Sequence, residues 1–185
     1  MNCTNKFLVA LPSIRDQIFK KTVIYINDHN QQGASGFIAN KPLGESMSKS
    51  VLKKLGIERD APVFYGGPVE INNAAFVHTS DMVNANSLPL SNGLYLTRDK
   101  RFVDIVNSEQ CPRNWKLVIG FSSWAPNQLE FEMSTNFKNG TSNWAVTDYS
   151  DQLFWNFDHV QMWDEAMKRY AEDLTKQALG VMSHD

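Results

Sequence analysis

Short apolar and β-branched runs, separated by polar turns containing Gly, Pro, Asn or Asp, fill most of the chain as far as Trp124. That rhythm is how buried and half-buried strands read. It predicts strands over Phe7–Ala10, Thr22–Asn27, Ala34–Asn40, Pro62–Tyr65, Ala74–Thr79 and Leu94–Thr97. The densest stretch is Lys116–Glu132, KLVIGFSSWAPNQLEFE, where a buried strand Leu117–Phe121 runs into a corner centred on Trp124. The remaining elements are expected to pack around it. Trp144–Thr147 reads as a late edge strand, and Asp81–Gly93, rich in Asn and Ser, as a loop.

Three- and four-residue apolar periods mark the helices. Met47, Val51, Leu52 and Leu55 form one such series, with Ser46 or Ser48 as N-cap and Gly56 as the stop. Asp99 is placed to cap a second helix ending near Asn107. Asn127 and Glu130 make a capping-box pattern ahead of Leu129, Met133 and Phe137, which predicts a helix over 128–137. The competing reading is a strand in which Phe131, Met133, Thr135 and Phe137 alternate and Lys138-Asn139-Gly140 turns a hairpin. Asp151–Trp155 reads as a short helical turn. Asp158 and Gln161 repeat the capping pattern before a final amphipathic helix, whose stripe of Val160, Trp163, Met167, Tyr170, Ala171 and Leu174 is core packing. A disordered tail is expected after Gly180.

Composition narrows the function classes. With 185 residues, 42% of them apolar and 21% charged, the chain suits one globular domain with its own core. A net charge of −2 with scattered Lys and Arg lacks the basic footprint of a nucleic-acid binder. No helix-turn-helix pattern is present either, which disfavours direct DNA binding by a transcriptional regulator. Cys3 and Cys111 stand far apart with no metal-ligand spacing, so neither a disulfide framework nor a metal site is expected. The first apolar run, Phe7–Leu11, is too short for a signal peptide or a membrane span, which reads as a cytoplasmic protein. No cofactor motif is recognised.

Four stretches follow one another along the chain: Phe7–Pro12 with Thr22–His29, then Gly33–Pro42, then Tyr65–Val69 with Phe76–His78, and most specifically Gly120–Glu132. In this order they resemble the YqgE/AlgH family of bacterial proteins. The resemblance covers about residues 7–175. It implies a single α+β domain with a coiled, branched mixed β-sheet, flanked by short helices and the C-terminal amphipathic helix. It implies a cytosolic bacterial protein and an association with regulation, with no activity and no catalytic residues to carry over. Asn127 stands where the family pattern favours Gly, and extra residues lie around Lys138–Asn143.

Candidate chemistry is sparse. Gly120-Phe121-Ser122-Ser123-Trp124 half-matches the Gly-x-Ser-x-Gly nucleophile elbow, but Trp124 occupies the second glycine position, where the strained turn needs a small residue. The bland alternative is a corner with Trp124 in the core and serine hydroxyls on nearby backbone. His29 and His78 would suit acid–base work with Glu130 or Glu132 if folding brought them together. Gly66-Gly67 and Gly33-x-x-Gly36 lack the full phosphate-loop patterns, although Asn40-Lys41 beside them would suit an anion-binding cleft. These residues support two expectations. The favoured one is a non-enzymatic binding or regulatory protein, acting on an unidentified protein partner or small molecule through Asn40, Lys41, Gly66, Gly67, Trp124 and Gln128. The alternative is a hydrolase-type enzyme using a cleft of His29, His78, Ser122 and Glu130.

Overall fold

A strand has two edges, and the central strand of this protein uses both of them unequally. In the computed structural model, which describes residues 1–134 and 142–182, the strands are β1 (Lys6–Ala10), β2 (Val23–Asn30), β3 (Gly33–Ile38), β4 (Val63–Tyr65), β5 (Val69–Thr79), β6 (Ser87–Pro89), β7 (Leu94–Thr97), β8 (Trp115–Trp124) and β9 (Trp144–Asp148). Their order in the sheet is β6-β7-β5-β8-β3-β2-β1-β9, with β4 as a branch on β8. One edge of β8 carries β5 antiparallel, from Val69 opposite Phe121 to His78 opposite Trp115. The other edge is shared. Parallel β4 pairs Val63–Tyr65 with Leu117–Ile119, and antiparallel β3 then pairs Ala34–Gly36 with Trp124–Ser122. This is the branched, mixed sheet that the family resemblance implies.

Because β4 and β5 flank opposite edges of β8, the three residues Gly66-Gly67-Pro68 joining them cross its backbone. A Cβ on Gly67, whose φ is +148°, would stand 2.3 Å from the Phe121 carbonyl oxygen. Gly120, at φ +71°, would meet the Gly67 carbonyl at 2.5 Å. Only glycine permits both the conformations and the approach.

Both faces of the β1–β2–β3 region are covered, which explains the continuous apolar runs there. Phe7, Val9, Val23, Tyr25 and Phe37 face a core shared with Phe154 and with α4 (Gln161–Met182), which delivers Met162 and Ala166. Leu8, Ala10, Ile24, Ile26 and Ile38 face the opposite core, closed by Trp124, Leu129 and Trp144. A third cluster around Val63, Phe76 and Leu117 is covered by α1 (Glu45–Leu55) and α2 (Phe102–Asn107). No described helix is long and apolar enough to cross a membrane.

Element types follow the sequence pattern, while several boundaries and caps differ. β2 continues to Asn30 and β5 begins at Val69, each through a register shift that lets polar residues join the ladder. The Asp81–Gly93 loop contains β6, whose Ser-Leu-Pro carries little strand propensity and is held by pairing with β7. α1 starts after Gly44 rather than at a serine cap; the Ser48 hydroxyl instead bonds the Leu43 carbonyl, while Gly56 ends the helix in the left-handed region at φ 77°. Residues 128–133 are helix, here α3 (Gln128–Met133), and Phe137 and the hairpin turn fall outside the described residues. Asn127 makes no side-chain cap and occupies the left-handed region at φ 64°, which accounts for a family preference for Gly there. The Asp151–Trp155 turn is π-helical over Gln152–Asn156. α4 continues to Met182, past the expected tail boundary, and the expected core stripe is corrected to Trp163, Met167 and Tyr170, because Val160, Ala171 and Leu174 are exposed.

Candidate functional site

Where β8 ends, its last residue, Trp124, leads through Ala125-Pro126-Asn127 into α3, and this corner brings together four of the predicted site residues. The left-handed Asn127 reverses the chain, so that α3 lies back over the β2–β3 hairpin. His29, near the end of β2, is 5% exposed. Its Nε2 lies 2.8 Å from Glu130 Oε1, and its Nδ1 accepts the Cys3 backbone N–H at 3.0 Å. An Nδ1 that accepts carries no proton, so the Nε2–H donates to the carboxylate. The Glu130 carboxyl is held below the usual carboxylate range by its own backbone N–H, with the His29 bond adding to the effect.

The corner's second carboxylate does more structural work than the first. Glu132 Oε2 accepts the indole N–H of Trp124 at 3.1 Å and that of Trp144 at 2.8 Å. Its Oε1 accepts the Gln128 amide at 2.9 Å, and Gln128 Oε1 in turn accepts the Ala125 N–H at 2.9 Å. The two indoles stand edge to face, 6.0 Å apart. Two-residue spacing puts Glu130 and Glu132 on different sides of α3, one toward His29 and the other toward the tryptophans. The Glu130–His29 pairing was accessible to composition reasoning; the Glu132 hub was missed because its partners lie 8 and 12 residues away, and only the excess of Trp beside a carboxylate hinted at it.

The other candidates sit elsewhere. His78 is fully buried at the opposite end of β8, facing Trp115 in register. Trp115 and Trp124 stand at the two ends of the ten-residue β8, roughly 30 Å apart along an extended strand. The His78 ring bonds Thr79 O through Nδ1 at 3.0 Å and Thr97 Oγ1 through Nε2 at 2.9 Å, and it stacks on Phe102 at 4.4 Å. Burial pushes its pKa down. Ser122, 1% exposed, donates to the Gly66 carbonyl at 3.2 Å, and among the described residues no histidine is hydrogen-bonded to it. Asn40 is a backbone bracket, its Oδ1 accepting Val23 N–H at 2.8 Å and its Nδ2 donating to Lys21 O at 3.0 Å. Lys41, whose pKa burial lowers, donates to Gln17 O at 2.8 Å and Ile18 O at 2.5 Å. Gly66 and Gly67 form the β8 crossing.

The shared His29/His78/Ser122/Glu130 cleft of the enzyme reading is therefore corrected to one His–Glu pair. That pair has little to offer a substrate. One ring nitrogen of His29 is taken by a backbone donor and the other by Glu130, so no lone pair remains to accept a proton. Among the described residues, no group of three or more His, Cys, Asp or Glu is arranged to hold a metal.

The family model described as DUF179, AlgH-like, matches residues 7–175. The chain belongs to this AlgH-like family. A UPF0301 protein of Shewanella sp. (strain ANA-3) is 33% identical over 178 residues, covering 91% of each chain. A UPF0301 protein of Pectobacterium carotovorum subsp. carotovorum (strain PC1) is 30% identical over 183 residues, covering 94% of this chain and 95% of that one. The solution structure of AlgH from Pseudomonas aeruginosa superposes with a TM-score of 0.72 at 22% identity, over 91% of this chain and 89% of that one. A crystal structure of a protein from Corynebacterium diphtheriae gives 0.71 at 21% identity, over 91% and 87%. Those two likenesses concern the AlgH-like fold alone. The family match carries no specific molecular activity.

Proposed function

We propose that the protein is a non-enzymatic binding protein of the cytoplasm, regulatory in effect, which recognises an extended segment of a partner polypeptide along β9. The observation that carries this reading is the outer edge of β9. β9 pairs only with β1 among the described residues. Leu11 N–H donates to Asn143 O at 2.9 Å, so alternation along an antiparallel ladder turns the backbone groups of Trp144, Val146 and Asp148 outward. The Ser142 hydroxyl occupies those of Trp144, accepting its N–H at 3.2 Å and donating to its carbonyl at 2.8 Å. Val146 and Asp148 retain outward groups with no described strand beside them, a short template for strand addition.

A cleft of about 720 Å³ runs between this edge and α4, with Met133, Trp144, Tyr170 and Leu174 among its walls. Backbone groups along one side and apolar side chains along the other suit an extended peptide with alternating apolar residues. Both cysteines are free thiols, which fits a reducing compartment.

Selection from a displayed peptide library tests this. The wild type should enrich extended, alternating sequences. Val146→Pro, which removes a donor, and Leu174→Glu, on an exposed helix position, should each lose that binding while keeping the wild-type circular dichroism spectrum. Peptide binding indifferent to both substitutions contradicts the reading, as does a stable homodimer that occupies the same edge in sedimentation.

A further inference from the structure

A separate cleft of about 710 Å³ lies near the Trp115 end of β8 and shares no lining residue with the β9 cleft. Its most unusual wall residue is Lys116. The Nζ stands 4.6 Å from the centroid of Phe64 and 4.7 Å from that of Phe154, held between two rings. Its one hydrogen bond among the described residues is to the Ala39 carbonyl at 3.2 Å. An ammonium has three donors, so two remain unassigned. Among the described residues, no carboxylate lies within ion-pair distance of it.

The other charged groups of the cleft do not remedy this. Arg59 is committed to the Val106 and Ser108 carbonyls. Asp158 accepts the Val160 N–H at 2.7 Å and lies 3.7 Å from His159. Asp60 lines the cleft without forming an ion pair among the described residues. Arg113 is exposed, and its guanidinium has no hydrogen bond or ion pair among the described residues. Two cationic groups, Lys116 and Arg113, thus line one cleft with no ion pair to a carboxylate among the described residues, although Asp81 accepts the Arg113 backbone N–H at 2.7 Å, and they stand beside the rings of Trp115 and Phe157. The volume falls within the range of small-molecule sites.

We propose that this cleft binds a small aromatic carboxylate, its carboxylate engaging Lys116 and Arg113 and its ring resting against Trp115 and Phe157. The anion supplies a charged acceptor for a partly desolvated ammonium, and the rings supply the apolar contact that a bare inorganic anion would leave unused. Burial lowers the Lys116 pKa to about 8, and a bound carboxylate opposes that shift by favouring the charged amine. Binding should therefore take up protons where the amine is partly neutral, and weaken as pH rises above about 8.

Thermal-shift titration of the full chain with benzoate, phenylacetate and indole-3-acetate at millimolar concentration tests the proposal, with benzyl alcohol and inorganic phosphate as controls. At least one carboxylate should raise the melting temperature by a few degrees, while both controls leave it unchanged. Lys116→Met should weaken that carboxylate about tenfold, measured against its own baseline. Arg113→Gln, at an exposed position that does not threaten folding, should weaken it severalfold. The proposal is overturned if none of the carboxylates binds, if binding survives both substitutions, or if benzyl alcohol or phosphate binds as well as the carboxylates. Peptide recognition at β9 stands or falls separately, because Val146→Pro and Leu174→Glu leave this cleft untouched.

Discussion

At the Trp124 corner, the polar side chains packed against the two indoles all have partners. Glu132 accepts two indole N–H groups and an amide, His29 is engaged at both ring nitrogens, and Gln128 closes the turn. At the Lys116 cleft, a half-buried ammonium stands between two aromatic rings and donates to one carbonyl. A satisfied network rigidifies a corner and leaves nothing for a ligand; an unsatisfied charge costs stability and persists most readily where something else binds it. The residues that look most chemical in the sequence, His, Glu and Ser near a Gly-rich strand end, form the scaffold. The lysine inside an apolar strand is the better candidate for recognition.

The crossing that joins these two ends should be the least tolerant point. Gly67→Ala combines a left-handed φ with a contact to the Phe121 carbonyl, and neither backbone can yield without moving β8. A loss of more than about 4 kcal/mol is expected, seen as absence of a cooperative unfolding transition. Glu132→Ala comes next: it strands two buried indole donors and should cost about 2–4 kcal/mol by urea unfolding, at pH 7.

Lys116→Met should act in the opposite direction. Burial lowers the Lys116 pKa in the folded state from the ordinary lysine value of 10.5 to about 8, so between those values the unfolded chain binds the extra proton and stability rises with pH. Below about pH 8 both states are charged and the folded state carries the whole penalty. The variant should therefore exceed the wild type by about 1–3 kcal/mol at pH 7, with the gap closing as pH is raised through 8 toward 10.5. Glu130→Gln should have the smallest effect, within about 1 kcal/mol, because the amide oxygen still accepts from His29 and the group is partly exposed. Glu130 contributes stability above its unfolded pKa that is lost as pH falls through its depressed folded value. Comparing the acid limbs of wild type and Glu130→Gln checks that sign.

Much of the scaffold was legible because strands carry apolar runs such as Phe7–Ala10 and Leu117–Phe121, and recognising such runs as strands needs no long-range knowledge. The branch at β8 was not readable from periodicity, since a run of apolar residues says nothing about which strands share an edge; it came from the family resemblance. Asn127 shows the limit of local patterns. Asn followed three residues later by Glu matches a capping box, yet the same residue also tolerates the left-handed turn that the corner requires, and the turn prevails. The histidines were recognisable as chemistry-bearing, but their separation was set by pairing: His29 belongs to the β2–β3 hairpin and His78 to the far end of β5. Lys116 attracted no attention because a lysine at a strand's start ordinarily reaches solvent. Its confinement depends on Phe64 and Phe154, contributed by β4 and the π-helical turn.

The most direct measurement of the contrast between the two regions is urea unfolding of Glu132→Ala and Lys116→Met side by side at pH 7. Opposite signs are predicted, with the corner variant destabilised and the cleft variant stabilised. Destabilisation of both by similar amounts would show that Lys116 is as fully satisfied as the Trp124 corner, and would contradict the assignment of the cleft to recognition.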